Sequence, residues 1–268
     1  MMKNIFTVVL GIACLVVLYL GNSYWSQQNQ ASVKANNSSE EKEVEKSETK
    51  VTDEPDVLAY TKNWPTAAID RFEQTVKEET TFKMLFVGSP AIEDTYEVVK
   101  EKMLKSFGEK NLQLAMKTYT TTTTPPTTKG WIEDNKQEEI IAEEADLIVL
   151  EPFLLLANGH ATIDVTLDRL TLLMEDIQAA NPETIFMIQP SYPLLTATIY
   201  PNQVAELKAY AEENQITYLD HWTVWPEQGT QELSDSLLPD QSGPSEIGIK
   251  LWSDFLLNYF ISDESESI

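Results

Sequence analysis

The chain predicts an α/β domain, a three-layer α/β/α sandwich built on a five-stranded, mostly parallel sheet. Three observations lead there. Short apolar runs recur between residues 82 and 219. The segments between them carry apolar residues at three- and four-residue steps, the period of a helix with one buried face. The runs themselves are continuous rather than alternating, as strands covered on both faces must be. Such alternation of strand and helix argues for parallel strands joined by right-handed crossovers, so every strand's carboxyl end lies on one edge.

Taken in order, Phe82 to Val87 reads as the first strand, and Tyr96, Val99, Met103 and Phe107 stripe the helix after it. Leu112 to Tyr119 is the second strand. Thr120 to Thr124, Pro125-Pro126 and Thr127-Thr128 form an extended loop, because proline lacks a donor and threonine is stiff at χ1. Residues 132–144 read as an acidic helix, and Asp146 to Leu150 as the third strand. Leu170, Leu173, Met174 and Ile177 mark the next helix. Thr184 to Ile188 is the fourth strand, followed by the loop Gln189 to Pro193. Residues 201–214 form another helix and Ile216 to Leu219 a short fifth strand. Trp252, Phe255, Leu256 and Tyr259 stripe the last helix.

The 268 residues suit one domain, residues 57–262, with appendages. Residues 1–25 read as a membrane anchor or signal segment. Ile5 to Leu20 is nearly all apolar, and extension to Trp25 reaches the roughly 20 residues that a membrane span needs. Gly21-Asn22-Ser23 is a poor cleavage site, which favours an uncleaved, single-pass anchor. Lys3 precedes the run and the next base is Lys34, so the domain is expected on the extracellular side, or secreted if the segment is cleaved. Residues 26–56, polar throughout, read as a disordered stalk, and 263–268 as an acidic tail. Cys14, the only cysteine, lies inside the apolar run and leaves the body without disulfides.

The formal net charge of −24 repels phosphates, so nucleic acid is excluded as a partner. Two scattered histidines and a cysteine in the anchor cannot build a zinc site. No clustered glycines form a phosphate loop. Neither metal nor cofactor is expected.

Chemistry is expected at the carboxyl edge of the sheet. Gly88-Ser89-Pro90 ends the first strand there and places a hydroxyl at a strand-to-helix turn, where backbone N–H groups can serve an oxyanion. The same edge collects His160, His221, Glu151 and Asn158. An activated serine needs a base, for which either histidine, or Glu151 with a pKa raised by burial, is a candidate. Trp131, Tyr192, Tyr200, Trp222 and Trp225 are either an aromatic lining for a sugar or acyl group or ordinary packing.

Two blocks carry a family resemblance over about residues 80–262. Phe86-Val87-Gly88-Ser89 resembles the first block of the SGNH/GDSL hydrolases. Asp240-Gln-Ser-Gly243-Pro244-Ser-Glu-Ile-Gly248, leading into a helix with Trp252, resembles their last block, Asp-x-x-His-Pro-Asn-x-x-Gly. The resemblance implies the same α/β/α layering and a serine acyl transfer. Ser89 would be the nucleophile, Asp240 the orienting acid and Asn158 an oxyanion donor. The chain departs from the pattern in three places. The family's third block, Gly-x-Asn-Asp, is represented by Phe153 to Gly159, where only Asn158 matches. Gly243 stands at the position of the family's catalytic histidine, and Ser89-Pro90 stands where the family has Asp-Ser. His221 is the residue that would then serve as base.

The expected function is therefore a membrane-anchored, extracellular serine ester hydrolase or acyltransferase, with acylated cell-surface glycans as its substrates. The alternative is a catalytically silent relative that binds cell-wall glycan or a partner protein. A third reading is an unrelated flavodoxin-like domain holding a small ligand, for which Gly-Ser-Pro is a poor phosphate cradle.

Overall fold

The computed structural model describes residues 56–119, 127–157 and 159–262. The expected anchor, nearly all of the stalk, most of the Thr/Pro loop, Asn158 and the acidic tail lie outside the described residues. No helix among the described residues is long and apolar enough to cross a membrane.

Five strands form one sheet: β1 (Phe82–Gly88), β2 (Leu112–Thr118), β3 (Leu147–Leu150), β4 (Ile185–Ile188) and β5 (Thr217–Tyr218). Their order is β2-β1-β3-β4-β5, and every pairing is parallel. The helices are α1 (Thr66–Lys77), α2 (Glu93–Phe107), α3 (Thr128–Glu133), α4 (Gln137–Ile141), α5 (Ile163–Ala180), α6 (Tyr200–Glu213), α7 (Gln231–Asp235) and α8 (Glu246–Phe260).

Successive strand residues point to opposite faces, which divides the core in two. Phe82, Met84 and Phe86 of β1 pack with Phe72 of α1, Phe107 of α2, and Trp252 and Phe260 of α8. Leu85 and Val87 pack on the other face with Trp131 of α3, Leu170 and Ile177 of α5, and Leu207 of α6. β1 and β3 are thus covered on both sides, the reason their sequences show no polar alternation.

Three local departures from the sequence reading follow. The acidic stretch 132–144 is not one helix. It breaks between α3 and α4 at Asn135, whose φ of 55° lies in the left-handed region that Asn tolerates. Asp146 lies just ahead of β3 rather than in it. Its carboxylate accepts from Arg71 Nε at 2.7 Å and from the Lys83 N–H at 2.8 Å, tying α1 and β1 to the start of β3. Residues 57–81, for which no element was expected, hold a short 3-10 turn (Val57–Thr61) and α1. Trp64 secures this segment by donating from Nε1 to Phe260 O at 3.0 Å.

From β1 the chain first crosses to β2 on one side, then returns to β3 on the other. The strand order therefore reverses between β1 and β3. Open α/β sheets place their ligand crevice outside the carboxyl ends at such a point. Ser89 and Glu151 are the first residues beyond those two strands.

Candidate active site

The pair forms because the register allows it. Val87 of β1 lies opposite Leu150 of β3, so the residues that follow leave the sheet side by side. The Glu151 N–H still continues the ladder, donating to Val87 O at 2.8 Å. Gly88 makes room: a Cβ there would lie 2.7 Å from Glu151 Oε2. Ser89 has extended backbone and opens a 3-10 turn with Pro90 at its first position, which leads directly into α2.

Ser89 Oγ donates to Glu151 Oε1 at 2.7 Å, and the Ser89 N–H donates to Oε2 at 3.2 Å. Both residues are buried, at 4% and 1% exposure. Burial pushes the Glu151 pKa up, while the Ser89 hydroxyl, Ser191 and the Ser89 N–H pull it back. The buried Ser191 hydroxyl has no hydrogen-bond partner among the described residues, so its pull on the carboxylate is a longer-range one.

Three tyrosines surround the pair. Burial, and then the Glu151 charge, raise Tyr119 and Tyr200 well above the usual phenol range and push Tyr192 up to about 12. All three stay protonated near neutral pH. Tyr119 stacks on Phe153 with ring centroids 3.5 Å apart, and Trp131 meets Tyr119 edge-on at 5.2 Å. The result is a carboxylate of raised basicity, in hydrogen-bond contact with a serine hydroxyl and screened from water. Such a group can take the serine proton.

The structure does not bring His221 into this pair. It is fully buried, with Nε2 donating to Pro190 O at 2.9 Å and Nδ1 accepting from Trp225 Nε1 at 3.0 Å. A carbonyl only accepts and an indole only donates, so these partners fix the tautomer and occupy both nitrogens. The ring stacks on Trp252 at 4.3 Å, and burial lowers its pKa to about 4. The chain turns into a 3-10 helix (His221–Val224) just after β5, which directs the ring into the core beneath α8 rather than toward the edge. Asp220 bonds Lys208 at 2.8 Å instead of orienting its neighbour.

Asp240 makes no bond to His221 or Ser89. Its carboxylate accepts from the N–H and Oγ of Ser242 at 3.0 and 2.6 Å, which hold its pKa low, and so it closes its own turn. Gly243 lies in the same turn, its carbonyl accepting from the Leu238 N–H. His160 is exposed and lines a separate cavity with Lys129 and Arg169. Asn158 lies outside the described residues. The Ser89 N–H, expected to be free for an oxyanion, is held by Glu151.

Of the candidate bases, Glu151 alone is hydrogen-bonded to Ser89. Its one sequence signal was its place immediately after the third strand. Ser191 and Tyr119, which share its environment, also lie just beyond strand ends, those of β4 and β2, so position alone did not single them out as its neighbours. Among the described residues no group of His, Cys, Asp and Glu could hold a metal ion.

The parallel five-stranded sheet with helices on both faces is an SGNH/GDSL-type hydrolase fold in divergent form. The chain is similar in structure to a GDSL-like lipase from Parabacteroides merdae, with a TM-score of 0.57 and 9% identity, over 68% of this chain and 96% of that one. It is similar to Axe2, an acetylxylan esterase from Geobacillus stearothermophilus, with a TM-score of 0.52 and 13% identity, over 68% and 95%. A lipolytic protein of the G-D-S-L family from Desulfitobacterium hafniense gives 0.51 and 15%, over 66% and 98%. No protein-family model and no curated protein matches the sequence. At these identities the likeness is one of fold.

Proposed function

We propose that this chain is a serine ester hydrolase or acyltransferase in which Ser89 is the nucleophile and Glu151 the base. The observation that carries this is the 2.7 Å bond from Ser89 Oγ to a buried carboxylate at the point where the strand order reverses. The fold it shares with lipases and esterases supports the reaction class by analogy.

In this reading Glu151 Oε1 takes the hydroxyl proton as Oγ adds to the ester carbonyl. The protonated carboxyl then gives that proton to the departing alcohol, leaving an acyl-serine. Water, or an acceptor alcohol in the transferase case, attacks the acyl carbon while Glu151 again takes the proton and returns it to Ser89. Protonation weakens the hold of Oε2 on the Ser89 N–H and frees that donor for the oxyanion, joined by Asn158 as the family resemblance implies. Glu151 thereby takes the place that the sequence suggested for His221 and Asp240. Acylated glycans at the cell surface are the proposed substrates. The support is the apolar segment at residues 5–25, which would hold the domain on the extracellular face of the membrane.

A second reading, a silent domain that binds cell-wall glycan or a partner protein, is favoured by a separate observation. Pro90 stands at the family's serine position, and both nitrogens of His221 are engaged elsewhere. Treating the full chain with a fluorophosphonate probe separates the two. Labelling that disappears in Ser89→Ala and falls in Glu151→Gln supports the enzyme. A folded protein that takes no label supports the binding domain.

A further inference from the structure

A cavity of about 310 Å³ lies where α3 and α5 begin, lined by Lys129, His160, Thr162, Val165, Thr166 and Arg169 among others. Its character runs against the rest of a molecule whose formal charge is −24. The chain has only two arginines. Arg71 is committed to Asp146 at 2.7 Å, whereas Arg169 has no ion-pair partner among the described residues, although Asp164 and Asp168 share its helix. Lys129 reaches Glu133 at 3.5 Å, but both side chains are more than half exposed, so this pair does little to neutralise it.

The other walls suit a polar, sugar-sized ligand. Thr166 Oγ1 donates to Thr162 O, which leaves its lone pairs free to accept from a ligand hydroxyl. Val165, 45% exposed, offers an apolar surface for a ring face. At the start of α5, Thr162 provides no side-chain cap, so the first-turn N–H groups add to the positive potential that Asp164 only partly offsets. The volume is at the lower end of small-molecule sites.

We propose that this cavity binds a monosaccharide unit bearing a carboxylate or a phosphate, with its oxyanion against the guanidinium of Arg169. The planar donor fork of arginine suits either group, and an arginine with no ion-pair partner among the described residues gives up none of those contacts to bind it. The inference is independent of the chemistry at Ser89.

The test is titration of the full chain with D-glucuronate, D-glucose 6-phosphate and D-glucose, followed by calorimetry or ligand-observed NMR. At least one anionic sugar should bind, more weakly as salt is added, and glucose should not. The stronger of the two identifies the group as carboxylate or phosphate. Arg169→Gln should weaken that binding tenfold or more with an unchanged melting curve, Lys129→Gln should weaken it less, and Ser89→Ala should leave it intact. The proposal fails if neither anion binds the folded protein, if glucose binds equally well, or if a folded Arg169→Gln protein binds as tightly as the native chain.

Discussion

Ser89 and Glu151, 62 residues apart in sequence, share two hydrogen bonds across the point where the strand order reverses. The serine hydroxyl has one acceptor, and that acceptor is a carboxylate rather than an imidazole. This relationship makes the base question specific. Glu151→Gln preserves size but cannot take a proton. It should lower kcat for an acetyl ester on the order of 10²-fold or more, with Ser89→Ala abolishing it. Circular dichroism on both variants checks folding. Turnover in Glu151→Gln equal to that of the native protein would remove the carboxylate from the mechanism.

The pH profile should carry the mark of the same residue. Glu151 must be ionised to act, and burial raises its pKa above the usual carboxylate value. Activity should therefore fall as pH drops through that raised value, with the acidic limb of kcat/KM lying above the ordinary glutamate range. A limb at or below pH 4 would mean that another group is being titrated.

His221 should appear in stability, not in turnover. Its pKa is about 4 in the folded protein against 6.5 for a free histidine, so the unfolded chain binds its proton more tightly. The neutral ring's contribution is fully present above pH 6.5 and is lost as pH falls toward 4, worth about 3 kcal/mol in all. Urea unfolding of native protein and His221→Gln at pH 7 and pH 4 isolates this share, because the variant should lose less stability between the two. Parallel loss in both proteins would contradict the assignment.

Gly248 and Gly243, both in the last family block, should respond differently to alanine. A Cβ at Gly248 would fall 2.2 Å from Ser236 O and 2.8 Å from the Trp225 ring, so the start of α8 must move. Gly248→Ala should cost about 1–3 kcal/mol, or more if the backbone cannot adjust. A Cβ at Gly243 meets only Leu238 Cδ1, at 3.6 Å, and Gly243→Ala should fall within about 0.5 kcal/mol of native. Thermal melts of the two variants give the comparison directly.

Asp146→Ala should destabilise through two losses at once. The Lys83 N–H loses its bond at 2.8 Å and the Arg71 guanidinium its bond at 2.7 Å. Asp146 is nearly buried while Arg71 is 29% exposed, so water recovers part of the arginine's loss. A net cost of about 2–3 kcal/mol is expected, measured by chemical denaturation. A change below about 0.5 kcal/mol would show that the pair is idle.

Much of the architecture was legible in the chain because burial imposes local periods. Met84 to Val87 and Leu147 to Leu150 are apolar throughout because two helical layers cover them, and Val99, Met103 and Phe107 recur at helical spacing because one face is buried. Ser89 was legible as a candidate because it ends a strand at the edge where such sheets hold ligands. The break at Asn135 was not, since a positive φ in an acidic helical pattern leaves little trace in composition.

The sequence by itself determined the layering, the edge on which the chemistry gathers, and the departures from the family's blocks at Pro90 and Gly243. Only the tertiary structure decided which groups meet. His221 and Glu151 both follow a strand, and nothing local distinguishes them. The turn after β5 folds His221 against Trp252, where Pro190 O and Trp225 Nε1 take both nitrogens. The pairing of β1 with β3 sets Glu151 against Ser89. Periodicity is a property of neighbours in sequence, whereas a hydrogen bond between strand ends depends on register between segments 62 residues apart, and that register exists only once the sheet has formed.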